Sequence, residues 1–254
     1  MRKFFVDAEY ISVDEIHISV KEDVNHILNV LRMKIGDKLI ISDKTSWEYV
    51  AEIANVNDGV IDLDIISKSE FSNEPDIDVT LFQGIPKGSK MDEIVQKSIE
   101  IGVNAIVPVM TRRSVPEYKG ADADKKVMRW RKIAAETVKQ CRRGLIPDVS
   151  NVIGVSEAAA RVGDFDIFLL LYESEEEFSL KQALTAFRLE WEAENGQRLP
   201  KMAIFIGPEG GIDDTELVKF EAAGAKVVTV GNTILRTETA GPAALAMLSY
   251  EFSV

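Results

Sequence analysis

The chain has 254 residues, 46% hydrophobic and 28% charged, the balance of a folded globular protein long enough for one large domain or two smaller ones. No run approaches the roughly 18 apolar residues of a membrane span, Met1-Arg-Lys-Phe-Phe-Val-Asp7 lacks the apolar stretch of a secretory signal, and one cysteine, Cys141, excludes an internal disulfide, so a cytoplasmic protein is expected. The net charge of −12 argues against indiscriminate nucleic-acid binding, and two separated histidines, His17 and His26, argue against a metal site.

The first 72 residues alternate β-rich runs with turns. Strands are expected over Lys3–Val6, Glu15–Val20, Lys38–Ser42, Tyr49–Val56 and Val60–Ser67, with Asp58-Gly59 as a hairpin turn. One helix interrupts them, with Asp23 as its cap and Ile27, Val30 and Leu31 as its apolar face. Many short strands with one helix suggest a small barrel. Phe71-Ser-Asn-Glu-Pro-Asp76 is polar, contains proline and separates two composition regimes, so the domain linker is placed there.

Beyond the linker, apolar strands alternate with amphipathic helices, the pattern of a mostly parallel sheet covered on both faces. The expected strands are Val79–Gln83, Ala105–Val109, Ile167–Tyr172, Ala203–Ile206 and Lys226–Val230, and the helices span about 89–101, 123–141, 179–194, 213–223 and 238–250. Ser89 is the expected cap of the first helix, with Met91, Ile94, Val95, Ser98 and Ile99 on its buried face and Lys90 and Lys97 opposite. On the next helix Lys125, Arg129, Lys132, Glu136, Lys139 and Arg143 form one polar stripe, and Cys141 falls on the apolar side. Between Lys87 and Arg143 there are 14 Lys/Arg and 7 Asp/Glu, a charge of +7 that leaves −19 for the rest. Such a basic segment suits a local RNA-facing surface, and a solvated helical face would give a similar count.

Two turns near the C-terminus stand out. Met202-Ala-Ile-Phe-Ile206 empties into Gly207-Pro-Glu-Gly-Gly211, and Val227-Val-Thr-Val230 into Gly231-Asn-Thr-Ile-Leu-Arg-Thr-Glu-Thr-Ala-Gly-Pro242. Glycine-rich turns of this kind leave backbone groups free for a ligand, and neither is a dinucleotide fingerprint or a phosphate loop. A nucleotide-like ligand held mainly by backbone and a pair of ordinary strand–helix corners both fit the pattern.

These two segments, their spacing and the strand before each closely resemble the C-terminal signature of the RsmE family, methyltransferases of the SPOUT type that modify N3 of a uridine in 16S rRNA. Lys87-Gly-Ser-Lys-Met91 through Val103, Arg113-Ser114, and Gln140 with Arg143 match further family patterns, although Gly144 stands where the family has Asn. Phe4-Phe-Val6 and His26 through Asp37 resemble the family's PUA-like RNA-binding barrel. The resemblance implies a PUA-like domain over 1–72 and a SPOUT α/β domain over 73–254 with a deep trefoil knot, S-adenosylmethionine as methyl donor, and a homodimer packed through the C-terminal domain. The last helix, with Ala240, Ala243, Ala244, Met247 and Leu248, has apolar surface for that contact. It also implies that the donor is held by Leu171, Tyr172 and Glu173, by Ile206, Gly207, Pro208, Glu209, Gly210 and Gly211, and by Val230, Gly231, Ile234, Leu235, Arg236, Thr237, Thr239 and Ala240. Arg113, Arg143 and Arg236 are the candidate catalytic residues, and Glu209 or Glu238 could accept a proton. Arg2, Arg32, Lys87, Lys90, Lys97, Arg112 and Gln140 are the candidate RNA contacts, within the small ribosomal subunit as the partner. His26 is read as a structural residue.

Overall fold

Period-two patterning in the first seventy residues produces a single sheet of β1 (Lys3–Phe5), β2 (Glu15–Ile18), β3 (Lys38–Ser42), β4 (Trp47–Asn57) and β5 (Val60–Glu70). The computed structural model describes residues 1–71, 74–75, 77–118, 120–196 and 198–252. Strand order is β1-β3-β4-β5-β2, with β1 parallel to β3 and the other pairs antiparallel. Among the described residues β1 and β2 do not pair with each other, so the expected barrel is an open ladder. Asp58 and Gly59 turn β4 into β5 with φ of 46° and 80°, the two left-handed positions that a tight hairpin of matching twist requires. Inward residues such as Ile16, Leu39, Ile41, Ile53, Ile61 and Leu63 are fully buried and close over Ile27.

Ile27 sits on a helix that differs from expectation. It starts at α1 (Lys21–Asn25), placing Asp23 inside the first turn rather than at the cap, and continues as a π-helical turn over His26–Val30. The wider turn shifts the phase of the side chains, so Ile27 stays buried while Val30 is 63% exposed.

The chain divides into two units, the first comprising Met1–Glu74 together with Val138–Ile146. Of the expected linker, Ser72, Asn73 and Asp76 lie outside the described residues. The late segment joins the first unit because its backbone is tied there. The Glu74 carboxylate accepts from the Gly144 and Leu145 amides at 2.6 and 2.9 Å and from Arg143 Nη2 at 3.0 Å. Lys3 Nζ donates to the Arg142 carbonyl at 2.9 Å, and the Ser42 hydroxyl donates to the Gly144 carbonyl at 2.6 Å. Gly144 has no room for a side chain: a Cβ there would lie 2.5 Å from the Phe71 ring. The asparagine that the family pattern carries would collide with that ring.

The second unit is built from β6 (Asp78–Gly84), α2 (Lys90–Ile101), β7 (Ala105–Met110), α3 (Ala121–Cys141) up to Thr137, β8 (Asp148–Val149), β9 (Ile153–Gly154) and α4 (Val155–Ala160). It continues with β10 (Ile167–Leu171), α5 (Leu180–Asn195), β11 (Lys201–Ile206), α6 (Asp214–Ala222), β12 (Lys226–Val228) and α7 (Thr237–Phe252). The sheet order is β12-β10-β11-β6-β7-β8, with β9 also on β7, and every pair is parallel. β10 is buried at every position, as its unbroken apolar run requires. Phe82, Phe168, Phe205 and Phe220 pack against one another at the centre of one face. Because all strands point the same way, the turns after β6, β10, β11 and β12 open at one edge, where an open α/β sheet presents its ligands. No helix among the described residues is long and apolar enough to cross a membrane.

The Glu74 junction yields a stability prediction. Removing the Glu74 carboxylate takes the acceptor from the Gly144 and Leu145 amides and breaks its ion pair with Arg143, whose side chain is 4% exposed. Glu74→Ala should cost about 3–5 kcal/mol of unfolding free energy, seen as a lower urea midpoint with an unchanged slope. An unmoved midpoint would show that water takes over the role of the carboxylate.

Candidate functional site

Three glycine positions shape the edge where the turns meet. A Cβ at Gly84, the last residue of β6, would lie 2.6 Å from Pro208 Cδ, so only glycine lets the turn after β11 settle there. The Gly211 amide closes that turn on the Pro208 carbonyl at 2.9 Å, with φ of 70°. The Glu173 carboxylate lies against Gly211, in the space a side chain would need. A Cβ on Gly207 would touch Ile212 and the Gly211 backbone within the same turn.

Beneath these turns lies a buried relay. Gln83, fully buried, donates from Nε2 to the Gly84 carbonyl and to Thr237 Oγ1, both at 2.9 Å. The Thr237 hydroxyl in turn donates to the Gly207 carbonyl at 2.7 Å. One side chain of β6 thereby holds the start of α7 against the turn after β11.

Above the relay is a cavity of about 520 Å³, a volume in the range of small-molecule sites. It is lined by Leu171, Tyr172 and Glu173 after β10, by Ile206, Gly207, Pro208, Glu209 and Gly211 after β11, and by Val230, Gly231, Ile234, Leu235, Arg236, Thr237 and Ala240 around the start of α7. Thr229, Thr233 and Lys90 complete the wall. Two expected residues do not line it. Gly210 faces outward, where a Cβ would lie 3.1 Å from Arg113 Cβ, and Thr239 is exposed one turn into α7.

The cavity wall contains an ionic junction. Lys90 Nζ lies 3.0 Å from Glu209 Oε1 and 3.1 Å from Glu238 Oε2, and the Lys87 amide donates to Glu209 Oε2 at 3.1 Å. Burial pushes the Glu209 carboxyl up, but hydrogen bonds from its own amide, Lys90 and the Lys87 amide together hold it below the ordinary glutamate value. Glu238 is lowered by its own amide above all, against burial, with help from Lys90 and Arg236. Hydrogen bonds to the two carboxylates raise the Lys90 ammonium in return. The junction's contribution is therefore lost as pH falls through the lowered carboxyl values and, at the other end, as pH rises through the raised ammonium value.

Lys90, expected beside Lys97 as an RNA contact, lines the cavity and meets these two carboxylates. Lys97 pairs instead with Glu93 on the helix surface at 3.4 Å. Seven-residue spacing put the two lysines on one helical side, but Lys90 is the first residue of α2 and its long stem bends toward the carboxylates. Ser89 occupies the cap position without a side-chain capping bond.

The arginines divide three ways. Arg236 lines the cavity and is exposed. Arg113 donates from Nη1 to the Gly210 carbonyl at 3.1 Å, on the outer side of the turn. Its neighbour Arg112 is anchored at its amide by Glu216, a nearly buried carboxylate 2.9 Å away, and its Nη1 reaches Asp213 and Thr215 at the start of α6. Arg143, the third candidate, belongs to the first unit, buried against Glu74, and is not among the residues lining the cavity. Its charge is needed there to neutralise a carboxylate that holds two amides. Arg2, Arg32, Lys87 and Gln140 are exposed, Arg32 with φ of 56°. His26 is exposed, its ring edge-on to Phe4.

Residues 73–249 match the family described as RNA methyltransferase domain, and residues 21–66 match RNA methyltransferase PUA domain. Ribosomal RNA small subunit methyltransferase E of Bacillus subtilis (strain 168) is 32% identical over 256 residues, spanning 99% of this chain and 97% of its own. A crystal structure of ribosomal RNA small subunit methyltransferase E from Neisseria gonorrhoeae bound to S-adenosyl methionine superposes with a TM-score of 0.81 at 28% identity, over 98% of this chain and 97% of that one. A putative methyltransferase from Legionella pneumophila, in complex with the cofactor SAM, gives 0.81 at 27% identity, over 98% and 96%. A glycine-walled cavity at the edge of a parallel sheet, in a chain that also matches a PUA domain, defines the class as RNA methyltransferase. Within that class, the chain belongs to the ribosomal RNA small subunit methyltransferase E (RsmE) family.

Thr237 tests the construction of the site. Thr237→Val keeps the shape but leaves the Gln83 amide and the Gly207 carbonyl short of a partner, at a cost of about 1–3 kcal/mol. Thr237→Ser should retain both bonds and most of the stability in urea unfolding. A loss in Thr237→Ser with none in Thr237→Val would assign the effect to packing of the methyl group.

Proposed function

We propose that this protein methylates N3 of a uridine in 16S rRNA of the small ribosomal subunit, using S-adenosylmethionine. The observation that carries this reading is the cavity itself. Its walls are two glycine-rich turns, held at one sheet edge by the Gln83–Thr237–Gly207 relay. The donor fits such a site, because both turns line the cavity with main chain and Glu173 offers a carboxylate to a cationic ligand. When bound, the donor supplies an electrophilic methyl group on a sulfonium.

The chain's own residues then have three tasks. Leu171 to Glu173, Ile206 to Gly211 and Val230 to Ala240 orient the donor, so that the reactants meet in near-attack geometry. Arg236 in the cavity wall and Arg113 beside Gly210 stabilise the negative charge that spreads to O2 and O4 as the N3 proton leaves. The third task is proton removal, and here Glu209 and Glu238 are poorly suited. Both are held ionised below the ordinary glutamate range, which makes them weak bases at neutral pH. The proton passes to solvent, its loss favoured by the arginines.

Binding of rRNA is assigned to the PUA-like unit around 1–72 and to exposed Arg2, Arg32, Lys87, Arg112 and Gln140. The SPOUT-type unit from 73 onward would knot its two glycine-rich segments, a topology suggested by family resemblance. The homodimer would pack through α7. Ala240, Ala244 and Leu248 are buried within the chain, so the available stripe narrows to Ala243, Met247 and Tyr250, spaced four and three apart. An rRNA substrate also implies a cytoplasmic location.

Incubation with undermodified small subunits and S-adenosylmethionine, followed by mass analysis of nucleosides, should yield N3-methyluridine; a ribose-methylated or other product would overturn the assignment. Arg236→Ala and Arg113→Ala should each lower kcat roughly 100-fold, with poor rescue by lysine, whose point charge lacks the guanidinium's planar fork. Met247→Glu should convert a dimer to a monomer in light scattering, and a wild-type monomer at micromolar concentration with full activity would rule out the α7 contact.

A further inference from the structure

We infer that Lys90 is a positioning residue of the donor pocket, setting the spacing between its two glycine-rich walls; this rests on reading the cavity as the S-adenosylmethionine site. Three elements distant in sequence converge on its ammonium: the start of α2, the turn after β11 through Glu209, and the first turn of α7 through Glu238. The base from which Lys90 reaches is rigid, since Met91, Ile94, Val95 and Ile99 are buried and α2 packs on α7. Glu209 is gripped twice by the same helix end, by the Lys90 ammonium and by the Lys87 amide. The α2 start therefore holds one wall directly and ties it to the other.

A lone ion pair at a surface contributes little. Here the cation separates two carboxylates, whose side chains are only 22% and 15% exposed. Without it, Glu209 and Glu238 face each other as like charges and push the turn after β11 away from α7. Those are the two segments that must close on the donor. The effect of losing Lys90 should thus fall on donor affinity, with RNA affinity and its salt dependence unchanged.

The test uses the full chain and three substitutions. Lys90→Met should weaken S-adenosylmethionine binding in calorimetry roughly tenfold, raising the donor KM far more than it lowers kcat. Lys90→Arg keeps a cation at the junction and should stay within about threefold of wild type. Adding Glu238→Gln to Lys90→Met removes the repulsion and should recover most of the lost affinity. Wild-type donor affinity in Lys90→Met, or a loss that Glu238→Gln does not relieve, overturns the positioning role; the second result would mean that Lys90 touches the donor itself. A parallel readout needs no donor: amide exchange across residues 207–211 should quicken in Lys90→Met and slow again in the double variant. If the wild-type protein binds no S-adenosylmethionine, the reading of the cavity fails, while the exchange arm still decides whether Lys90 holds the two walls together.

Discussion

The hydroxyl of Thr237 is the contact on which the site's architecture rests. It accepts from Gln83 at the end of β6 and donates to Gly207 after β11, so one oxygen joins three segments more than twenty residues apart in sequence. Parallel strands that end at a common edge leave backbone groups exposed, and those in the interior need partners. Gln83 supplies one from the end of β6, next to the apolar pair Leu81 and Phe82. The same crowding explains Gly84: the turn can come close enough for the relay only if β6 ends without a side chain.

Charge is organised differently from what its count along the chain suggests. The segment from Lys87 to Arg143 has an excess of seven positive charges, yet much of that charge is spent on specific carboxylates. Arg129 grips Asp92, Lys139 reaches Asp23, Arg143 is buried on Glu74, and Lys90 spans Glu209 and Glu238. A continuous phosphate track does not follow from these placements. Arg2, Arg32, Lys87, Arg112 and Arg113 stay exposed, and Arg236 lies in the cavity wall.

The elements were legible wherever periodicity ran long enough. The hairpin at Asp58-Gly59, the buried β10 and the capped start of α6 at Asp213 all follow from local chemistry. β8, β9 and α4 escaped, because two-residue strands and a six-residue helix carry no usable period. The π-helical turn escaped for a different reason: nothing in His26–Val30 distinguishes it from an ordinary helical turn until the core demands a changed phase. Gln83 did leave a trace, a lone amide between an apolar run and a glycine, although its partner lies 154 positions away.

By itself the sequence determined the order of strands and helices, the two glycine-rich turns and, through their resemblance to a family, nearly the whole wall of the cavity. These are properties of short segments, set by side-chain alternation and by which residues tolerate a tight turn. Tertiary structure decided which charges meet. It sent Arg143 to Glu74 rather than to the cavity, brought Lys90 into the wall between two carboxylates, turned Gly210 outward and filled the space beside Gly144 with a phenylalanine ring. The physical reason is range: backbone preference acts over a few residues, whereas an ion pair or a steric contact depends on chain that returns from a hundred positions away.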